Sequence, residues 1–298
     1  MRNIVDFNKI KTIPISQRKN LAKLEHFAKI DDKIEFFEHD SLKKLAQKII
    51  EAHKNNRQVI LMMGAHVIKI GLGPYIVDLM KKGIIKHVAI NGAGAIHDFE
   101  VALIGETSED VQTNIENGTF GMAEETGSMM NNAINTSQEG YGKTIGKMIH
   151  DSNFPHKDHS ILKTGYELGI PVTVHVAIGT DIIHQHPSFD GGATGSATHK
   201  DFKTFTDSVS KLEKGVILNV GSSVILPEVF LKSLTITRNL KYKVEKFTAA
   251  NLDMIDHYRP KVNVVERPTS LGGEGHFIQG RHEKTIPTLY HLIIQGLK

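Results

Sequence analysis

The chain has 298 residues, 40% hydrophobic and 23% charged, with a net charge of +3 and basic residues that gather no more densely than pairs such as Arg18-Lys19 and Lys43-Lys44, so a nucleic-acid partner is not expected. It has no cysteine, which excludes disulfides and thiolate chemistry. No apolar run approaches the roughly 18 residues of a membrane span, and the N-terminus lacks the apolar stretch of a signal peptide, so no membrane association is expected and the cytoplasm is the expected location. Seventeen histidines are unusual, and many lie near glycines and acids.

Residues 1–40 are polar and Lys-rich, and read as an N-terminal arm with a short helix. Such an arm packs on a neighbouring subunit or stays a loosely ordered tail. Residues 41–298 read as a single α/β domain. An amphipathic helix is predicted over 41–53, with Ser41 as its cap. The apolar run Val59–Met63 stops at Gly64, as a strand buried on both faces should. Apolar residues at helical spacing follow from Ile68 to Met80, with Pro74 marking a start and Gly83 a stop. A second strand over 87–90 breaks at Asn91-Gly92-Ala93-Gly94 and leads into another helix.

Further helices are predicted over 128–138, 147–151, 160–168, 202–211, 227–233 and 288–295, and further strands over 172–177, 215–220, 247–252 and 262–265. The stretch from Asp190 to Gly195 and the run Gly272-Gly273-Glu274-Gly275-His276 read as loops. Strands alternating with helices predict a doubly wound parallel sheet of Rossmann-like type.

Four strand-end loops then fall along one edge: Gly64-Ala65-His66, Asn91-Gly92-Ala93-Gly94, Gly179-Thr180-Asp181 and Gly221-Ser222-Ser223. Small residues there let a flat ligand or a pyrophosphate approach the backbone, although such turns also use glycine for geometry alone. None is a G-x-G-x-x-G fingerprint. His97, Asp98 and Glu100 open one helix, and Asp181, His184 and His186 lie within six residues, with His175 upstream and Asp190 downstream. A carboxylate and imidazoles at this spacing could ligate a metal ion, orient a polar substrate and move protons, or serve as hydrogen-bonded loop residues. Two acid-rich groups, Glu124-Glu125 and the region from Glu266 through Glu274, His276, His282 and Glu283, would attract a cation at a cleft or stand as solvated loop charges.

At GAHVIKIG, HVAINGAGAIHDFEVAL, IPVTVHVAIGTD and GVILNVGSSVILPEVFLKSL the chain resembles the deoxyhypusine synthase family, in a divergent synthase-like branch. The resemblance runs from about Val59 to the C-terminus. It implies a Rossmann-like sheet, NAD bound over the strand ends at a subunit interface, a homotetramer and a polyamine-like substrate. It implies cofactor contacts at Asn91, Gly92, Ala93 and Asp98 and at Gly221, Ser222 and Ser223, with Asp181 beside the nicotinamide. The family's Trp-Gly-Lys context is absent, since the chain has no tryptophan, and Pro227 and Glu228 stand where a His pair should. Without that lysine no imine can carry an aminobutyl group, so deoxyhypusine synthesis itself is not expected.

The expectation is an NAD-dependent transferase or oxidoreductase acting on a small amine or polar substrate. Its cofactor residues would be Gly64, His66, Asn91, Gly92, Ala93, Asp98, Gly221, Ser222 and Ser223. Its catalytic residues would be Asp181, His184, His186 and His276. Two alternatives stay open: a metal-dependent hydrolase or lyase using His175, Asp181, His184 and His186, and a non-catalytic nucleotide-binding protein.

Overall fold

The computed structural model describes residues 5–298. Two antiparallel strands, β1 (Asn20–Lys23) and β4 (Glu106–Glu109), form a small outlying sheet. The other six strands are β2 (Val59–Met63), β3 (His87–Asn91), β5 (Val172–His175), β6 (Val216–Val220), β7 (Thr248–Asp253) and β8 (Glu274–Gln279). All pair in parallel, in the spatial order β5-β3-β2-β6-β7-β8. Counted along the chain within that sheet, the order is 3-2-1-4-5-6, the doubly wound arrangement of dinucleotide-binding folds.

The connections are helical. In chain order the helices are α1 (Asp40–Lys54), α2 (His66–Lys69), α3 (Gly73–Lys81), α4 (Gly92–Ile104), α5 (Val111–Glu116), α6 (Glu124–Thr136), α7 (Tyr141–Asp151), α8 (Ile161–Leu168), α9 (Gly191–Ser210), α10 (Ile225–Asn239), α11 (Tyr258–Pro260), α12 (Arg267–Thr269) and α13 (His282–Leu297). β2 shows why both faces must be covered. Val59, Leu61 and Met63 join the core under α1, α3 and α13, while Ile60 and Met62 join a second core under α9 and α10. The exposed edge of β5 is blunted by α9. The amide of Val174 donates to Asp201 at 2.7 Å, and Thr198 Oγ1 both accepts from Val176 and donates to Val174.

Three local expectations change. The β-branched run at 262–265 is a π-helical turn (Lys261–Glu266), because Val264 and Val265 point into the core under α10 rather than into the sheet. The glycine-rich run expected as a loop from Gly272 mostly becomes β8, an edge strand of mixed burial. The run from Asp190 becomes the first turn of α9, where Asp190 Oδ1 accepts from the amides of Gly192 and Ala193. The arm is folded down: Arg18 is 7% exposed, and β1 ties the arm to β4.

Candidate functional site at the carboxyl edge of the sheet

The sheet order reverses between β2 and β6, so the loops after them flank one crevice at the carboxyl edge. Gly64 donates to the carbonyl of Val220 at 2.9 Å, and a Cβ on Gly64 would collide with the carbonyl of Gly221. Gly221 has φ +65°, a conformation that favours glycine, and its α-carbon lies against His282. The two corners therefore meet main chain against main chain, and two imidazoles stand beside them. The rings of His66 and His282 are 5.6 Å apart, and burial together with its neighbour pushes His66 below its ordinary pKa, so it is neutral at pH 7. His282, missed as a site residue, donates from Nε2 to the Leu252 carbonyl at 3.3 Å. Its buried Nδ1 has no partner among the described residues.

One strand over, α4 starts directly after β3. Asn91 caps it, accepting from Gly94 at 3.0 Å, so this side chain serves the helix rather than a cofactor. The Asp181 carboxylate sits over the first turn, facing the Ala93 amide so closely that a Cβ on Gly92 would strike it. A helix N-terminus favours an anion, and here the chain supplies that anion itself. The Asp181 side chain is 7% exposed, and its Oδ2 has no hydrogen-bond partner among the described residues. Burial pushes its pKa up to about 6.

His184 lies 3.8 Å from that oxygen through Nε2. Its Nδ1 accepts from the amides of Gly179 and Asp181 at 3.0 and 3.2 Å, so the proton of the neutral ring is on Nε2. With Nδ1 taken by main-chain amides and the proton on Nε2, neither ring nitrogen of His184 is free for the base role expected from sequence. His97 has the opposite arrangement. Thr107 Oγ1 donates to Glu100 at 2.6 Å and accepts from His97 Nδ1 at 2.7 Å, leaving His97 Nε2 as a lone pair. Burial lowers the pKa of His97, which keeps it neutral.

Beneath His97 lies a buried ion pair. Arg18, from the arm, donates from Nη1 to Glu100 at 2.8 Å and stands 3.7 Å from Glu109. Arg18, Lys69, His97, Glu100, Glu109 and Asp181 all border one cavity of about 220 Å3, whose remaining walls are largely apolar. No local pattern marks Arg18, because its partner is 82 residues away.

Other expected site residues lie elsewhere. Asp98 faces inward and caps α8, accepting from Ser160 Oγ and from the amides of Ile161 and Leu162. His175 is 3% exposed and hydrogen-bonded to Thr173 beneath Phe205. His186 donates to the Gly121 carbonyl at 2.8 Å and packs on Gly127, pinning a loop. His276 is in the middle of β8 beside Glu274 at 3.0 Å, away from the strand ends. Ser222 Oγ accepts from Leu226 in the turn after β6, and Ser223 follows it there. Among the described residues no group of three His, Asp or Glu could hold a metal ion; of the metal alternative's residues, Asp181 and His184 are neighbours, while His175 and His186 are bonded elsewhere.

No family model and no curated protein matches the sequence. Solved structures match the fold. A conserved protein of LOR/SDH type from Methanococcus maripaludis S2 superposes with TM-score 0.53 at 15% identity, over 90% of this chain and 74% of that one. AgrE, solved as a ternary complex with ornithine and NAD+, superposes with TM-score 0.55 at 14% identity, over 89% of this chain and 34% of its own. The chain thus spans about a third of the length of AgrE. A deoxyhypusine synthase candidate from Entamoeba histolytica reaches TM-score 0.49 at 10% identity, too slight a likeness to carry an argument. The fold is a Rossmann-like α/β fold, a parallel six-stranded sheet flanked by helices.

Proposed function

We propose that the chain is an NAD-dependent oxidoreductase or transferase acting at a small amine. The dinucleotide would lie across the Gly64 and Gly221 corners, and the amine in the cavity beside Asp181. The observation that carries this reading is the reversal of strand order at two corners that meet main chain against main chain. Gly64, Ala65, His66, Gly221, Ser222 and Ser223 would hold the nucleotide. That AgrE, of similar fold, was solved with ornithine and NAD+ supports pairing this nucleotide with an amine. Assembly as a homo-oligomer and kinship with deoxyhypusine synthase-like proteins belong to the same proposal.

Bound NAD supplies a hydride acceptor. The chain's own residues supply position and proton transfer. Asp181, on the cavity wall, would hold the nitrogen of the amine. His97 Nε2 takes a proton from that nitrogen, while Thr107 and Glu100 hold the ring in the tautomer that can accept it. A ligand bound only to the folded state raises the melting temperature, so millimolar NAD is expected to raise that of the purified chain. No shift would sink the nucleotide reading.

A further inference from the structure

The amino ends of the strands collect positive charge that the sequence scatters. Arg57 leads into β2, Lys214 into β6 and Lys246 into β7, and all three line one groove of about 460 Å3. They are exposed and form no ion pair among the described residues. Lys48 of α1 joins them, paired at 3.0 Å with Glu274, one of two carboxylates on the lining. The cations therefore outnumber the acids. The main chain also fixes where two of them stand. The Lys214 amide donates to the Lys246 carbonyl at 2.6 Å, and Lys214 has φ +60°, a left-handed backbone unusual for lysine. The stem of Lys246 lies over Gly272, 4.0 Å from where a Cβ there would be. Carbonyls at the end of α1, which would repel an anion, are already taken. That of Glu51 accepts from the Asn55 main chain and side chain, and that of Ala52 from the Arg57 amide. Single exposed lysines are ordinary, but like charges converging on a concave groove concentrate their field there.

We propose that this groove binds a small anion carrying two or more phosphates, with its oxygens on Arg57, Lys214 and Lys246. The guanidinium offers a planar fork that matches a phosphate, and the two ammonium groups add point charges. A singly charged anion would leave most of this excess unanswered. Size points the same way, since about 460 Å3 falls within the roughly 300–1,000 Å3 of small-molecule pockets. Lined on one side by α1 and on another by residues 272–274, the groove suits a compact ligand rather than a long polymer. It lies at the opposite end of the sheet from the Gly64 and Gly221 corners. The inference thus concerns a second site and does not need the nucleotide reading.

The test titrates the full chain with inorganic phosphate, pyrophosphate, tripolyphosphate and ATP, read by thermal shift and calorimetry. Tripolyphosphate or ATP is expected to bind roughly tenfold or more tightly than phosphate. ATP ahead of tripolyphosphate would name a nucleotide and the reverse a phosphate chain without a base; either sustains the groove. Arg57→Glu should weaken the tighter of the two roughly tenfold or more. Lys214→Gly, which removes the ammonium and suits the left-handed backbone, should weaken it in the same direction with the fold intact. Lys203→Glu, at an exposed position on α9 outside the groove, should leave it unchanged. If none of these anions binds, or if Lys203→Glu costs as much affinity as Arg57→Glu, the proposal is overturned. A melting shift caused by NAD should survive Arg57→Glu. Its loss there would make the groove the dinucleotide's own place, and the second site falls. Tripolyphosphate binding by a chain indifferent to NAD sustains this inference and removes the nucleotide reading alone.

Discussion

Asp98 and Asp181 are buried carboxylates at the amino ends of two neighbouring helices, and burial pushes both up to about pH 6. Their surroundings differ. Asp98 accepts from a hydroxyl and two main-chain amides of α8. Asp181 faces α4 with one oxygen free. A raised pKa at a helix end thus does not mark a functional group; the partners of its oxygens separate the two. The same test separates His97, with a free lone pair, from His186, whose ring is bonded and packed.

The comparison is broken most sharply by removing Asp98. Asp98→Ala leaves two buried amides of α8 and the Ser160 hydroxyl without an acceptor, and should cost about 2–4 kcal/mol in denaturant unfolding. A cost under about 1 kcal/mol would mean that Asp98 is not the cap it is taken for.

Asp181→Asn should change stability with the opposite sign. The carboxyl has an ordinary pKa of 3.8 and a folded value of about 6, so between these pH values the folded state keeps a proton that the unfolded state has lost. Stability contributed by this group therefore falls as pH rises from about 4 to about 6 and is level above. Relative to wild type, the asparagine variant should gain on the order of 1–3 kcal/mol by pH 7 and little near pH 4. A variant less stable than wild type at both pH values would show that the carboxylate is held by partners, as Asp98 is.

Much of the sheet is legible in the sequence, because central strands buried on both faces, β2 above all, are continuous apolar runs, and β2 and β6 both stop at glycine. β8 is not legible, since an edge strand reading Glu-Gly-His-Phe-Ile-Gln has neither alternation nor a continuous apolar run. The Val262-rich segment misleads in the other direction, because its β-branched residues serve a helical turn whose burial is decided by α10. At the site, Gly64, Gly221 and Asp181 are legible as strand-end residues. Asp98 is misread because an acid after a glycine turn looks the same whether it faces a ligand or the next helix. Arg18 and the tautomers of His97 and His184 depend on partners far along the chain or on main-chain amides, which spacing does not record.

The amino ends of the strands hold a rival location for an anionic ligand, a larger groove of about 460 Å3 edged by Lys48, Arg57, Lys214 and Lys246. Amide hydrogen exchange with and without NAD distinguishes the two ends of the sheet directly. If the dinucleotide lies at the reversal of strand order, NAD slows exchange around Gly64–Val67 and Gly221–Ile225. Slowing confined to the groove at Lys214 and Lys246, or none at either corner while NAD still raises the melting temperature, would contradict it.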